Sequence, residues 1–241
     1  MGEVQLLPRH DFSADVSEFE LPELGERCLL AIDTSLGTDV AVCRDGRAVR
    51  VHHGDHRGHA EAIGGLLSLA FEVSGVSPAQ VEGVVVGIGP GPFTGLRVGI
   101  AAAKAFATGR GVSLMPLQGH EAAALSAYTY GAAADIVAGR ASQSSGVRVL
   151  QDAKRREIFA TEYTGLDEDG LPVRSAQPHL MTHADYREEA RDLWPGDVPA
   201  DQLLRLAAMR LATGRGFEAD RALYLRAPDV YPAVAPKRVS T

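Results

Sequence analysis

Two stretches of this chain repeat one design. "LLAIDTSLGTDVAVCRDG", from Leu29 to Gly46, and "VRVLQDAKRREIFATEYTG", from Val147 to Gly165, each read as an apolar strand, a turn opened by an aspartate, and a second strand that ends at a glycine. The aspartates are Asp33 and Asp152. Two hairpins built alike, with an acid at the same point, predict a duplicated α/β lobe, and no other feature limits the fold as much. An aspartate after a buried strand can hold a metal-phosphate group or orient a water. The same residue also serves turns, where its side chain bonds local amides.

The segments between the hairpins fill in the lobes. "RDGR" predicts a second turn and a third strand, so a β-meander opens the domain. A helix follows over His59–Ser74 and ends at Gly75. Its apolar residues, among them Ile63, Leu66, Leu67, Ala70 and Phe71, cover more than one stripe, which predicts burial on two sides. "VEGVVVGIG" is a buried strand, Leu96–Thr108 a helix, "VSLMPL" a short strand with Pro116 as a hinge, and "GHEAAALSAYTYGAAA" an Ala-rich helix. Near the C-terminus come a helix, "PADQLLRLAAMRLATG", and a strand-like "RALYLR". The expected organisation is an acidic flexible extension over 1–26, an N-lobe over 27–116 to which 199–227 returns, a second, shortened lobe over 117–198, and a Pro-containing tail over 228–241.

Charge excludes some functions. The first 26 residues hold seven acids and one base, whereas the other 215 hold 24 acids and 23 bases, so the folded part is nearly neutral and carries no bulk nucleic-acid footprint. The start lacks the basic and apolar regions of a secretory signal, and no apolar run approaches the ~20 residues of a membrane span. The expectation is a cytoplasmic protein that meets no membrane. Cys28 and Cys43, without a CxxC, read as small core residues.

The stretch Gly87–Gly109, "GIGPGPFTGLRVGIAAAKAFATG", is strand, glycine turn and helix. It does not match GxGxxG, since Pro92 and Thr94 stand where glycine is needed, and no Gly-Lys-Ser/Thr follows. What remains is a helix start with Thr94 as candidate N-cap, whose free amides face any anion there. Inside the helix Gly95, Gly99, Ala103 and Ala107 form a ridge of small residues at spacing four. Such a ridge admits close approach by the chain's own sheet or by another protein. Arg97 and Lys104 fall off the ridge, toward solvent. The second lobe has no Gly-Gly turn for an adenosine, so any nucleotide contact rests on Asp33, Thr34 and Thr94 alone. "HHGDHRGH", with His52, His53, His56 and His59, reads as a polar connector rather than a metal site, because its glycines make a loop.

Taken together, "LLAIDTS…VAVCRDG", "HAEAI", "GIGPGPFTGLRVGIAAAKAFATG", "VRVLQDAKRREIFATEY" and "YLRAPDVYPAVAPKR" resemble the TsaB (YeaZ) family. The resemblance implies the two-lobed fold of the actin-like and sugar-kinase ATPase superfamily. It also implies a non-catalytic, cofactor-free paralogue of TsaD, the enzyme that places threonylcarbamoyl on tRNA adenosine. The His-x-x-x-His iron site of TsaD has no counterpart, because His120 is followed four residues on by Ala124. The implied role is a scaffold that pairs with a TsaD-type subunit through the N-lobe helices, with a TsaE-type ATPase joining and tRNA reached indirectly. A homodimer through the same helices is expected when the chain is alone. The expected contacts are His59, Ile63, Leu66, Leu67, Ala70, Gly95, Leu96, Gly99 and Ala103. The rival reading is an ATPase or kinase of the same fold, with Asp33 and Asp152 around a metal-nucleotide.

Overall fold

The structure is a computed structural model that describes residues 14–55, 58–131 and 146–226. The first lobe is built on a six-stranded sheet in the order β1-β4-β3-β2-β5-β6. Its strands are β1 (Asp15–Glu20), β2 (Leu29–Asp33), β3 (Thr38–Arg44), β4 (Arg47–His53), β5 (Gly83–Gly87) and β6 (Ser113–Leu117). β2, β5 and β6 run parallel, and the meander β2-β3-β4 is antiparallel. Two helices, α1 (His59–Ser74) and α2 (Phe93–Arg110), cover one face, and α4 (Ala200–Thr213) covers the other.

Strand β2 explains this sandwich. Every residue of it is buried, and successive side chains enter opposite layers. Leu30 and Ile32 pack with Leu66, Leu96 and Ala103 under α1 and α2, whereas Leu29 and Ala31 pack with Leu203, Leu204 and Ala207 of α4. A strand covered on both faces needs a continuous apolar run, which is what the sequence supplies. Each fully buried leucine contributes about 1.5–3 kcal/mol relative to exposure. Cys28 and Cys43 fall in these two opposite layers, so both are core residues, and burial pushes the Cys43 thiol up to about 12.

The expectation of a flexible extension over 1–26 is corrected for its second half. Asp15–Glu20 pairs antiparallel with β4 as an edge strand, and Leu21 and Leu24 are fully buried in the layer under α4. Glu23 pairs with Arg205 of that helix. The acids sit on an exposed edge, where charge discourages further strand pairing, while two leucines anchor the segment. Residues 1–13 lie outside the described residues.

The second lobe carries β7 (Val147–Lys154), β8 (Glu157–Leu166), β9 (Pro172–Arg174), β10 (His179–Thr182) and β11 (Asp192–Leu193). Its sheet order is β10-β8-β7-β11, with β9 also on β8. Helix α3 (Gly119–Ser126) joins the lobes, touching α4 and β7, and ends in a π-turn over Ala127–Gly131. The "RALYLR" segment is not a strand. Residues 217–226 run as a strap over the first lobe, with Glu218 N donating to Pro116 O (3.0 Å) and Leu223 N to Ile88 O (2.8 Å). The tail 228–241 lies outside the described residues. No helix among the described residues is long and apolar enough to cross a membrane.

Candidate functional site

Open parallel sheets bind ligands beyond the carboxyl ends of their strands. Here that crevice lies where β2, β5 and β6 end, at Asp33, Gly87 and Leu117. Asp33 is 1% exposed. Its Oδ1 accepts from the Ser35 amide (2.7 Å) and the Ser35 hydroxyl (2.6 Å). Its Oδ2 accepts no hydrogen bond from the described residues and faces glycine backbone instead. A Cβ at Gly87 would overlap that oxygen, and one at Gly119 would stand 3.3 Å away. Burial, partly offset by the Ser35 bonds, raises the carboxyl to about 7.

The turn after Asp33 knits the two lobes together. Thr34 donates from Oγ1 to Gly95 O (2.6 Å) and accepts from Gly99 N (3.0 Å), pinning the first turns of α2 to the end of β2. Gln151, from β7, donates to Ser35 O (2.8 Å) across the lobe boundary. His120 lies fully buried at 2.9 Å from Thr161 Oγ1 and 3.2 Å from Gln151 Oε1. Burial lowers its imidazole to about 4, so the ring stays neutral. The histidine is thus a packed, bonded core residue, and the crevice is filled by the protein's own turns and the second lobe's glutamine.

Several expected site residues are displaced from their expected roles. Asp152 is exposed, with Oδ1 accepting from Lys154 N (2.7 Å) and Oδ2 paired with Lys154 Nζ (2.8 Å). An exposed and a buried aspartate, each bonded within its own turn, do not form a shared metal-nucleotide site. Thr94 is exposed and caps nothing; α2 begins at Phe93, with Pro92 as its N-cap residue.

The small-residue ridge faces inward. Gly95, Gly99 and Ala103 are buried, and a Cβ at Gly95 or Gly99 would overlap Thr34 O or Thr34 Oγ1. Leu66, Ala70 and Leu96 are fully buried as well. These six expected partner contacts therefore belong to the chain's own core. Spacing four identified a face that needs close approach, but the approaching backbone is that of the Thr34 turn.

His59, Ile63 and Leu67 remain half-buried. His59 Nδ1 lies 2.8 Å from Thr38 Oγ1, which fixes the start of α1. Ile63, Leu67 and Phe71 recur at spacing four on α1, with Ala102 and Phe106 at spacing four on α2, all packed over a core that is already complete. The Phe71 and Phe106 rings stack with centroids 5.8 Å apart. Ala101 and Ala105 of α2 and Val73 of α1 are exposed. The sequence reading passed over Phe106, though its spacing from Ala102 was the available signal.

One charged cluster could be mistaken for a metal centre. Ligand atoms of Asp39, His52 and Asp197 lie within 4.8 Å of one another. Arg50 already stands there, donating from Nε to Asp39 (2.9 and 3.0 Å), pairing through Nη2 with Asp39, and reaching Asp197 Oδ2 (2.8 Å). The guanidinium supplies the cation, and the cluster secures β3 and β4 against the start of α4, where Ala200 N donates to Asp39 Oδ1 (3.3 Å).

Comparison with known proteins follows this geometry. A family model described as TsaD, tRNA N6-adenosine threonylcarbamoyltransferase, matches residues 54–170. An uncharacterised protein of Mycobacterium tuberculosis is 34% identical over 132 residues, covering 54% of this chain and 52% of that protein. The tRNA threonylcarbamoyladenosine biosynthesis protein TsaB of Haemophilus influenzae is 32% identical over 111 residues, covering 46% and 47%. The chain thus spans about half the length of these curated relatives. In fold it is similar to YeaZ from Pseudomonas aeruginosa, with a TM-score of 0.70, 22% identity, and coverage of 83% of this chain and 100% of that one. The two sheets and their helices are of the actin-like ATPase type. With a TsaB matched in sequence and a YeaZ matched in fold, the chain is TsaB (YeaZ)-like.

Proposed function

We propose that this chain is a non-catalytic scaffold and activating subunit in tRNA threonylcarbamoyladenosine formation, pairing with a TsaD-type catalytic subunit. The closed crevice supports this reading most. The one buried aspartate at the strand ends is enclosed by Gly87 and Gly119, and its would-be partner Asp152 is exposed elsewhere. Chemistry then belongs to a partner, and the chain contributes a surface.

That surface is the outer face of α1 and α2. It keeps half-buried Ile63, Leu67, Phe71 and Phe106 over a finished core, with small exposed Ala101 and Ala105 beside them. Small and apolar residues on two adjacent helices suit helix-against-helix docking. A TsaE-type ATPase joins the pair, tRNA is met in the assembly, and the chain alone pairs with its own copy through the same face.

Co-expression with a TsaD-type subunit tests the pairing. Ala105→Arg places a long cation on an exposed position without touching the core. The expected result is a folded monomer that no longer co-purifies. Undiminished co-purification of both Ala105→Arg and Leu67→Arg would remove this face from the account.

A further inference from the structure

The molecule contains two hairpins closed by two-residue turns, and they obey opposite rules. Between β3 and β4, Arg44 pairs with Arg47 and the turn is Asp45–Gly46, with φ of 51° and 72°. Between β7 and β8, Lys154 pairs with Glu157 and the turn is Arg155–Arg156, with φ of 56° and 63°. Positive φ at both central residues is the requirement of a type I′ turn, which favours Asp-Gly or Asn-Gly. The first hairpin has the favoured pair. The second places two arginines where side chains are strained, and Lys154 before them also has a positive φ, 62°.

Strain of this kind points to function where something else at the position compensates. What the arginines supply is charge at an exposed apex. Lys154, Arg155 and Arg156 are all exposed. Arg226 from the strap donates to Ala153 O (3.2 Å) and Lys154 O (3.3 Å) and pairs with Glu157. Of the two carboxylates at the tip, Asp152 is engaged by Lys154 and Glu157 by Arg226. Four cations against two carboxylates leave the apex with a net charge of +2, on a chain whose total is -7. The arrangement concentrates guanidinium at a rigid two-strand tip, the geometry that suits phosphate oxygens.

We propose that the β7–β8 tip is a direct contact for the phosphate backbone of RNA. The choice of RNA among polyanions rests on the function proposed above; the tip's charge and strain stand without it. Backbone contacts of this type position an RNA without reading its bases. They make binding depend steeply on salt.

The test transplants the first lobe's solution into the second. Full-length wild-type chain, Arg155→Asn/Arg156→Gly and Arg155→Lys/Arg156→Lys are compared by melting and by fluorescence anisotropy with a tRNA transcript across a salt series. A poly-glutamate peptide serves as the other polyanion. The Asn-Gly turn relieves the strain, so that variant is expected to melt roughly 4 °C higher. It should nonetheless bind tRNA roughly tenfold more weakly, with the salt slope reduced by about 2. The lysine pair should keep most of the salt slope.

RNA affinity and slope unchanged by the Asn-Gly turn would overturn the proposal, as would a wild-type chain that binds no RNA. Tip-dependent binding of poly-glutamate alone would overturn it in favour of an acidic protein partner. A melting temperature that does not rise would remove the strain argument. Pairing with a TsaD-type subunit is read separately by co-purification, so loss of that reading and loss of this one are told apart.

Discussion

Asp33 and Asp152 occupy the same point in two hairpins of like design, and the two lobes treat them differently. Asp33 ends β2, is 1% exposed, and has glycine backbone from β5 and α3 against its free oxygen. Asp152 lies near the end of β7, is exposed, and bonds Lys154 two residues on. The difference arises in what the sheets place next to each hairpin. β2 is central, flanked by β3 and β5, whereas β7 lies between β8 and the two-residue strand β11. A repeated motif therefore fixes a repeated local shape, while neighbours far along the chain decide whether its acid is a core element or a surface turn.

The largest effects should come from breaking the enclosure around the first turn. Gly99→Leu drives a side chain into Thr34, whose hydroxyl joins β2 to α2. The expected cost is about 3 kcal/mol or more, read as loss of cooperative melting. Were the ridge a docking face instead, the same variant would fold normally and lose only its partner.

The next contrast lies inside the buried network. Asp33 has its folded pKa raised to about 7, so between its ordinary value and 7 the folded state holds a proton that the unfolded state has lost. Stability then falls as pH rises through that window. His120 has its folded pKa lowered to about 4, so over pH ~4 to ~6.5 the unfolded state holds the extra proton and stability rises with pH. The two slopes oppose each other, each at most about 1.4 kcal/mol per pH unit. Denaturant melts from pH 4 to 7 should show a wild type with little net slope. Asp33→Asn should gain stability with rising pH, and His120→Gln should lose it. Parallel slopes in the two variants would contradict the burial of this pair.

The smallest effect is expected at the second aspartate. Asp152→Ala removes an exposed ion pair and a turn bond, and should change stability by about 0.5 kcal/mol or less. A much larger loss would mean that the two hairpins are more alike than their surroundings indicate.

Much of the fold was legible because its signals are local. The continuous apolar runs of β2 and β5 announce strands covered on both faces, and Gly75 and Gly111 in left-handed geometry end α1 and α2. β1 was not legible, since "DVSEFE" has the composition of a solvated tail and takes its structure from pairing with β4. The α2 ridge showed that something comes close without showing what, because Thr34 lies 65 residues from Gly99. The same distance problem hid the site: no pattern within either hairpin reveals that Gln151 will bond Ser35 across 116 residues.

The central claim is that this chain serves catalysis by docking rather than by chemistry of its own. Reconstituted threonylcarbamoylation of tRNA tests it, using a TsaD-type subunit and a TsaE-type ATPase with or without this chain. The account predicts modification that depends on the wild-type chain, persists with Asp152→Ala, and fails with Ala105→Arg although that variant is folded. Modification at the same rate without the chain, or supported equally by Ala105→Arg, would contradict it.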